Sequence, residues 1–525
     1  MTTENPLNLE RHGDETVVVD GLSLSLDCVQ RVACAGARVE LASEARDRMV
    51  ASRKVVERAV AEGRVVYGVS TGFGKLSDRV IPEKDLARLQ INLLRSHAVG
   101  LGEPFDKPSV RAIMLLRANT LASGLCGVRP MVCERLLDLL NADVTPWVPT
   151  RGSVGASGDL APLAHLGLAL IGEGEVSREG GRVAATDVLA AKGLEPLRLE
   201  AKEGLSLING TQVMTGVGVL TLLAAARVIA AAEVAGAMSL DAVCGTRLAF
   251  DEAIHTARPH PGQRQSAARL RELLGDASDI SQSHSDCGVV QDAYSFRCMP
   301  QVHGAVRDAL RYVRNVLEIE VNAATDNPLV FVDGEDLHGG AVVSGGNFHG
   351  APVAAALDFL AIAMTDLASI SESRIEALID TRESGLPAFL ARNPGLESGF
   401  MAQQIAAAAL VNECKGLAHP ASVDSIPTGA DREDHVSMGA WAAQKARMVV
   451  ENAERVIAIE LLAAAQGIDL RRPLKTSPNL EAAHRRIRAE VPRLDVDRPG
   501  SADIEAIVEV IRAGDFLKAG VEASS

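Results

Sequence analysis

A run of small residues between Gly152 and Leu163 contains the most unusual backbone chemistry in the sequence. Within it, Ala156, Ser157 and Gly158 place a serine hydroxyl beside a glycine amide nitrogen that no side chain hinders. In a tight turn, that nitrogen could attack the Ala156 carbonyl, and loss of water would then leave a methylene group conjugated to carbonyls. Such a group is a strong electrophile, which no standard side chain supplies.

The same residues have two simpler interpretations. A glycine-rich turn that leads into a helix, with Ser157 or Asp159 as its cap, explains the composition without any reaction. A serine nucleophile is the other alternative, but the G-x-S-x-G elbow is absent because Gly158 directly follows Ser157. The spacing by itself leaves all three interpretations open.

Tyrosine is rare, and two of the three tyrosines lie in segments rich in glycine or polar residues. Tyr67 opens the run Y-G-V-S-T-G-F-G, and Tyr294 lies between Gln291 and Arg297. A phenol acts as a general base when nearby charge or hydrogen bonds ease the loss of its proton, whereas a core tyrosine only needs a partner for its hydroxyl. Arg297, three residues after Tyr294, suits either a grip on a substrate carboxylate or a structural ion pair.

Two further polar residues lie in helical patterns. His97 takes an apolar position in a helical stripe, which also fits a hydrogen-bonded core histidine. Glu413 follows an apolar run and also fits a solvated helix face or a local ion pair. The twelve histidines show neither zinc-site spacing nor HExxH, and no nucleotide-binding glycine motif occurs, so neither a metal nor a nucleotide is expected.

Hydrophobic periodicity predicts that helices position these residues. Amphipathic helices are predicted near 43–62 and 501–513, and alternating strand patterns are confined to about 16–19 and 329–332. Five longer stretches rich in Ala and Leu suit close packing in a bundle: 209–240, 302–321, 352–379, 401–417 and 436–466. The expected fold is mostly α, with a long central helical bundle in residues 209–525, a smaller loop- and helix-rich active-site region in residues 1–208, and few short strands.

Composition excludes several classes of partner. With 53 Lys and Arg against 68 Asp and Glu, the net charge is −15, so nucleic acid is not an expected partner. The most apolar stretch, 213–226, is too short to span a bilayer, so no membrane contact is expected. The first ten residues lack a secretion pattern and the eight cysteines form no CxxC pair, which predicts a cytoplasmic protein with reduced thiols.

The chemistry-bearing segments occur together in an order that resembles the aromatic amino acid lyase family. In chain order, they are 67–74, 152–163, 207–211, 291–297, 326–328, 345–349 and 418–425. The resemblance extends from about Val18 to Leu517. It implies that Ala156, Ser157 and Gly158 cyclise into 4-methylideneimidazole-5-one, so that no separate organic cofactor is needed. It also implies a mostly helical homotetramer whose active sites each combine loops of three subunits.

The resemblance assigns roles to individual residues. The substrate amine would add to the methylene group, Tyr67 would remove the β-proton, and Arg297 would bind the carboxylate. Phe348 would line the pocket. Three residues would place the amine and polarise the electrophile: Asn209, Gln291 and Tyr294. Asn209 and Asp326 would also assist the backbone cyclisation.

Substrate choice is implied by a smaller set of residues. Ser96-His97 matches the pair found in family members that act on histidine, and Glu413 can accept a hydrogen bond from an imidazole. The implied reaction is non-oxidative deamination of L-histidine to urocanate and ammonia. A 2,3-aminomutase, or a lyase acting on tyrosine or phenylalanine, is the alternative, since the Ser-His pair also occurs in tyrosine aminomutases.

The chain departs from the pattern of those histidine-specific members at three places. Ser70 stands where asparagine is usual, and Arg432 stands where a neutral amide is usual. The loop before Gly345 is several residues longer.

Overall fold

The computed structural model describes residues 16–179, 181–275, 278–284, 290–332 and 342–517. Residues 1–15, on which the expectation of a missing leader rests, lie outside this part, as do Cys287 and most of the longer loop before Gly345. The described residues form twenty α-helices and four two-stranded sheets, which confirms the mostly α prediction.

The strands are short and lie mainly in the N-terminal region. In the described residues, β1 (Val17–Val19) pairs in parallel with β2 (Val39–Leu41), with Val17 opposite Val39. The other three pairs are antiparallel: β3 (Leu101–Pro104) with β4 (Pro149–Arg151), β5 (Glu175–Arg178) with β6 (Gly181–Ala184), and β7 (Leu329–Val330) with β8 (Val342–Val343).

Eight helices precede Asn209 in the described part of the chain. They are α1 (Leu26–Cys34), α2 (Ser43–Ala61), α3 (Leu86–His97), α4 (Lys107–Ala122), α5 (Pro130–Asn141), α6 (Leu160–Leu170), α7 (Ala185–Ala191) and α8 (Glu203–Ile208). Several begin with a proline in the first turn or a capping side chain, as in α4, where Asp106 accepts from the Ser109 amide.

The remaining twelve described helices contain the long ones. They are α9 (Gln212–Ala242), α10 (Glu252–Ala257), α11 (Pro261–Leu274), α12 (Asp279–Ser283), α13 (Tyr294–Arg297), α14 (Met299–Glu320), α15 (Ala351–Ile379), α16 (Thr381–Ser384), α17 (Met401–Leu417), α18 (Gly439–Arg471), α19 (Pro478–Glu490) and α20 (Ser501–Ala513). The five stretches predicted from their Ala and Leu content correspond to α9, α14, α15, α17 and α18.

Helices α9, α15 and α18 form the centre of the molecule, where small residues let their backbones approach closely. A Cβ atom on Gly467 of α18 would lie 2.8 Å from the Cβ of Ala242 on α9. A buried ion pair joins two of these helices: Arg374 of α15 donates two hydrogen bonds, of 2.6 and 2.8 Å, to the buried Glu460 carboxylate of α18. The bundle is therefore closely packed.

One cluster of buried apolar side chains includes residues from Val17 to Phe516 and so joins the two predicted regions. Helix α8 ends at Ile208 and α9 begins at Gln212, which is where the sequence suggests a division. The division into residues 1–208 and 209–525 stays a prediction.

Two described helices are long and apolar enough to cross a membrane by length and composition alone. These are α9 and α15, and 83% and 67% of their most apolar windows are buried inside the protein. The apolar stretch at 213–226 is part of the longer helix α9, which continues through Arg227 to Ala242. Burial against other helices accounts for the apolar composition of both.

The central packing predicts a sharp difference between two leucines. Leu461 of α18 is fully buried, whereas Leu396 is 86% exposed. Leu461→Ala should lower the free energy of unfolding by about 2–5 kcal/mol because it leaves a cavity. The matched Leu396→Ala variant should change it by less than about 0.5 kcal/mol. Denaturant or thermal unfolding followed by circular dichroism measures both, and equal midpoints would contradict the assigned core.

Candidate active site

Ala156, Ser157 and Gly158 form a strained tight turn between β4 and α6. The φ angles of Gly155, Ser157 and Gly158 are +80°, +49° and +81°. The turn is closed by a 3.3 Å hydrogen bond from the Gly158 amide to the Gly155 carbonyl. A positive φ is uncommon for a residue with a side chain, so the surroundings must hold Ser157 in this conformation. The ring closure considered from the sequence needs such a tight turn, in which the glycine nitrogen can attack the Ala156 carbonyl.

Gly158 lies directly against Gly210, the residue after Asn209. The two form a parallel bridge, and the Asp159 amide donates a 2.7 Å hydrogen bond to the Gly210 carbonyl. A Cβ atom on Gly158 would lie 2.2 Å from that carbonyl oxygen, which no side chain can tolerate. The contact therefore requires glycine at position 158 and fixes the turn against the segment that carries Asn209.

Asp159 binds the start of the central helix α9 rather than capping the helix α6 that follows it. Its side chain makes no capping bond within α6, although Asp159 is the residue before that helix, so the interpretation of Asp159 as a local cap is wrong. Instead, its Oδ2 accepts 3.0 Å hydrogen bonds from the Val213 and Met214 amides in the first turn of α9. Burial raises the pKa of Asp159 to about 7, although these amide donors favour the charged form.

Glu433 contacts the central serine of the turn. Ser157 Oγ donates a 3.3 Å hydrogen bond to Glu433 Oε1, and Thr428 Oγ1 donates a 2.7 Å bond to Glu433 Oε2. Backbone hydrogen bonds of 3.0 and 3.3 Å between Thr428 and Glu433 close the short turn that carries Arg432 as an exposed residue. Sequence reasoning noted the segment but missed Glu433, because only the fold places it beside Ser157.

Asn209 is held by a buried polar network. Its Nδ2 donates to Asp326 Oδ1 at 3.2 Å and to the Asn327 carbonyl at 2.8 Å. Lys202 Nζ and Ser206 Oγ donate to Asp326 Oδ2 at 2.9 and 2.8 Å. Burial alone would raise the pKa of Asp326, but the Lys202 ammonium and other donors hold it below its ordinary value. Asp326 is therefore a charged acceptor.

The same network reaches the segment that carries Phe348. Asn327 Oδ1 accepts a 2.7 Å hydrogen bond from the Gly345 amide, three residues before the half-buried Phe348. The structure thus joins the segments at 209–210, 326–328 and 345–349, which are far apart in the chain.

Tyr67 lies half-buried on a turn that packs against this network. A Cβ atom on Gly68 would lie 2.5 Å from Leu205 Cδ2 and 3.2 Å from Pro328 Cδ, so Gly68 allows close approach. Ser70, one of the departures, closes the turn: its Oγ accepts from the Val66 amide at 2.9 Å and donates to a backbone carbonyl at 2.7 Å. The serine therefore has a structural role here.

His97 is the last residue of α3 and is half-buried. Its Nδ1 lies 2.9 Å from the Leu93 carbonyl and 3.0 Å from Ser96 Oγ. The bond to the carbonyl requires a proton on Nδ1, which leaves Nε2 as a hydrogen-bond acceptor. His97 is thus oriented by its own helix rather than packed in the core.

Four predicted site residues lie elsewhere in the single chain. Tyr294 is 71% exposed at the start of α13, and the Arg297 guanidinium lies 4.4 Å from the centroid of its ring. Gln291 is exposed nearby, and Glu413 is exposed on α17, where Asn452 Nδ2 donates to it at 3.1 Å. Within the described residues, no hydrogen bond or ion pair joins these four to Ser157 or Tyr67.

A groove of about 690 Å³ lies beside Tyr294, lined by residues of α13, α14 and α15. In the described parts of the chain, no group of three or more His, Cys, Asp or Glu side chains is arranged to hold a metal ion.

A long-helix bundle that supports a strained Ala-Ser-Gly turn defines a class of carbon-nitrogen lyases. Residues 24–489 match the family model for aromatic amino acid lyases, and the chain belongs to that family.

Particular relatives cover almost the whole chain. It is 51% identical over 503 residues to histidine ammonia-lyase of Myxococcus xanthus, covering 96% of this chain and 98% of that protein. It is 54% identical over 508 residues to histidine ammonia-lyase of Koribacter versatilis, covering 95% and 98%.

Solved structures agree with this assignment of the family. The crystal structure of histidine ammonia-lyase from Trypanosoma cruzi has a TM-score of 0.89 and 44% identity, covering 97% of this chain and 95% of that one. Tyrosine aminomutase from Streptomyces globisporus has a TM-score of 0.91 and 40% identity, covering 97% and 99%.

The raised pKa of Asp159 predicts a pH-dependent contribution to stability. A carboxyl group with a higher pKa in the folded state stabilises the fold below its unfolded pKa of about 4, and this contribution is lost as the pH rises toward 7. Asp159→Asn removes that loss, and the amide oxygen of the new side chain can still accept hydrogen bonds from the first-turn amides of α9. The thermal midpoint should therefore fall less between about pH 5 and about pH 8 in this variant than in the unaltered protein. Asp47→Asn, at an exposed position of α2, is the matched control and should not alter the decline.

Proposed function

We propose that this chain is a carbon-nitrogen lyase that removes ammonia from L-histidine without oxidation and releases urocanate. The observation that carries the proposal is the Ala156-Ser157-Gly158 turn, strained and pressed against Gly210. Relatives of about half-identical sequence and nearly equal length, which are histidine ammonia-lyases, support the choice of substrate.

The residues fit a 4-methylideneimidazole-5-one group formed from Ala156, Ser157 and Gly158. Gly158 has no side chain to hinder its nitrogen, which lies inside the turn against the Gly155 carbonyl. Asn209 Oδ1 is a buried acceptor without a partner among the described residues. When formed, the group supplies an electrophilic carbon for the substrate amine. No metal or nucleotide is part of the proposal.

Tyr67 is the proposed base that removes the β-proton. Its turn packs on Pro328, next to the Asn327 that binds Asn209, which supports a place at the same site. The Gly74 amide donates a 3.4 Å hydrogen bond to the phenol oxygen and so helps to orient the side chain.

Recognition of the imidazole ring is assigned to His97 and a carboxylate. His97 Nε2 is an acceptor and can take the N–H of a substrate ring. We propose Glu433 as the carboxylate, because it contacts the hydroxyl that leaves when the ring forms and so lies beside the reactive carbon. Glu413, which the family resemblance suggested, stays a competing prediction.

The remaining binding residues are proposed to come from other copies of the chain in a homotetramer. Tyr294 is 71% exposed in a single chain, and the aromatic side chains Phe359 and Trp441 are each 44% exposed. Gln291, Tyr294 and Arg297 would then bind the amine and carboxylate at a neighbouring subunit's turn, and Phe348 would line the pocket. A cytoplasmic location stays a prediction.

A 2,3-aminomutase is the second candidate, supported by the structural likeness to a tyrosine aminomutase and by the Ser96-His97 pair. It would release a β-amino acid, whereas a lyase would release urocanate. Chromatography of reactions with histidine, tyrosine and phenylalanine separates these outcomes.

Turnover of L-histidine tests the proposal directly. Pure protein should produce the ultraviolet absorbance of urocanate, Ser157→Ala should abolish it, and Tyr67→Phe should lower kcat by about 10²–10⁴ because a general base is lost. Intact mass should show that the unaltered chain has lost two waters and that Ser157→Ala has not. Near-normal turnover by either variant would contradict the assigned roles.

The same change to glutamine distinguishes the proposed roles of Glu433 and Glu413. Glu433→Gln should lower kcat/KM for histidine by about 10–100-fold, because a charged hydrogen bond to the ring is lost. Glu413→Gln, the matched variant on α17, should change it by less than about twofold. The reverse order of effects would assign the imidazole to Glu413 instead.

A further inference from the structure

We propose that Lys202 is a positioning residue for the ring closure at Ala156, Ser157 and Gly158. Its ammonium group holds Asp326 in place, Asp326 holds Asn209, and the adjoining Gly210 holds Gly158. The inference rests on the proposed function, whose electrophile is made by this ring closure.

Lys202 combines two costly features. Its side chain is fully buried, and its φ angle of +72° is unusual for a residue with a side chain. A buried ion pair adds little stability, because desolvation offsets the attraction, and apolar residues of similar size often replace one without loss. A lysine at position 202 is therefore better explained by its hold on Asp326 than by a contribution to the stability of the fold.

The contacts form a continuous path from Lys202 to the turn. Asp326 accepts from Lys202 through Oδ2 and from Asn209 Nδ2 through Oδ1. The second N–H of Asn209 Nδ2 donates a hydrogen bond to the Asn327 carbonyl, so two acceptors fix the orientation of the Asn209 amide. Gly210 follows directly and accepts the Asp159 amide, which keeps Gly158 bent against it.

The path requires Asp326 to be ionised. Besides Lys202 and Asn209, its carboxylate accepts from Ser206 Oγ at 2.8 Å and from the Asn327 amide at 2.7 Å. A protonated carboxyl group would have to donate one of its hydrogen bonds and could not accept all four.

The charged and titratable groups that face Asp326 are few. They are Lys202, the buried Arg117 of α4 and the Cys126 thiol. Burial raises the pKa of Cys126 to about 12, so it stays neutral. Without Lys202, burial would push Asp326 toward its neutral form, and Asn209 would lose its acceptor.

The ring closure itself needs no further reactant. The Gly158 nitrogen bonds to the Ala156 carbonyl carbon, and that oxygen leaves as water with the protons of the Gly158 and Ser157 amides, forming a C=N bond. Ser157 Oγ then leaves as a second water with its own proton and the Cα proton, forming the C=C bond. Two waters are lost, and no oxidant is consumed.

A comparable ion pair elsewhere provides the control. Arg307 of α14 donates to the fully buried Glu233 carboxylate of α9 at 2.8 and 2.5 Å. This pair lies in the bundle and belongs to no part of the path from Lys202 to Gly158. Arg307→Met therefore removes a buried cation without disturbing Asn209.

The experiment measures, by intact mass, the fraction of full-length chains that have lost two waters. Lys202→Met should lower this fraction at least about threefold at unchanged circular dichroism, while Arg307→Met stays at the level of the unaltered protein. Lys202→Arg, which keeps the positive charge, should restore most of the fraction of chains that have lost two waters.

Complete ring closure in Lys202→Met, or an equal loss in Arg307→Met, would overturn the proposal. If Lys202→Met does not fold, the neutral pair Lys202→Met with Asp326→Asn replaces it, and a fully closed ring there would also overturn it. The measurement of intact mass requires no substrate. An unaltered chain that has lost two waters but makes no urocanate would therefore reject the histidine reaction and leave the role of Lys202 standing.

Discussion

The close approach of Gly158 to Gly210 is the constraint on which the rest of the site depends. At this contact, the space for a Cβ atom is already filled by a carbonyl oxygen. The contact bends the backbone at Ser157, and Asp159, the next residue, binds the first turn of α9. The turn is thus attached directly to α9, one of the three central helices, so the rigidity of the bundle is transmitted to three small residues.

A buried polar network supplies the second half of that support. Lys202, Asp326 and Asn209 are removed from water, and each polar contact must compensate for lost hydration. Asp326 stays charged because Lys202 and Arg117 are close, and this allows it to accept four hydrogen bonds at once. The network also reaches Gly345 through Asn327, which joins the pocket segment near Phe348 to the same support.

The single chain does not bring all of the proposed site residues together. Ser157, Glu433, Asn209 and the Tyr67 turn converge, whereas Tyr294 and Arg297 lie on an exposed short helix packed on α14 and α15. That helix is itself well supported: the buried Arg374 donates to the Ser295 carbonyl at 3.2 Å. The exposed Tyr294 beside the groove and the half-buried Arg297 are the residues proposed above to act at a neighbouring copy's turn.

The sequence by itself determined the helical architecture and singled out the Ala156-Ser157-Gly158 segment. Ala- and Leu-rich periodicity predicted α9, α14, α15, α17 and α18, because each long helix must bury an apolar face. Ala156, Ser157 and Gly158 were singled out because the proposed chemistry needs only adjacent residues, and the family resemblance favoured ring closure over a plain turn. Only the tertiary structure decided which distant residues meet the turn. Glu433 lies 276 positions from Ser157, and Lys202 lies 124 from Asp326, so no local pattern could pair them. Such contacts arise when helices pack, and packing depends on the whole chain at once.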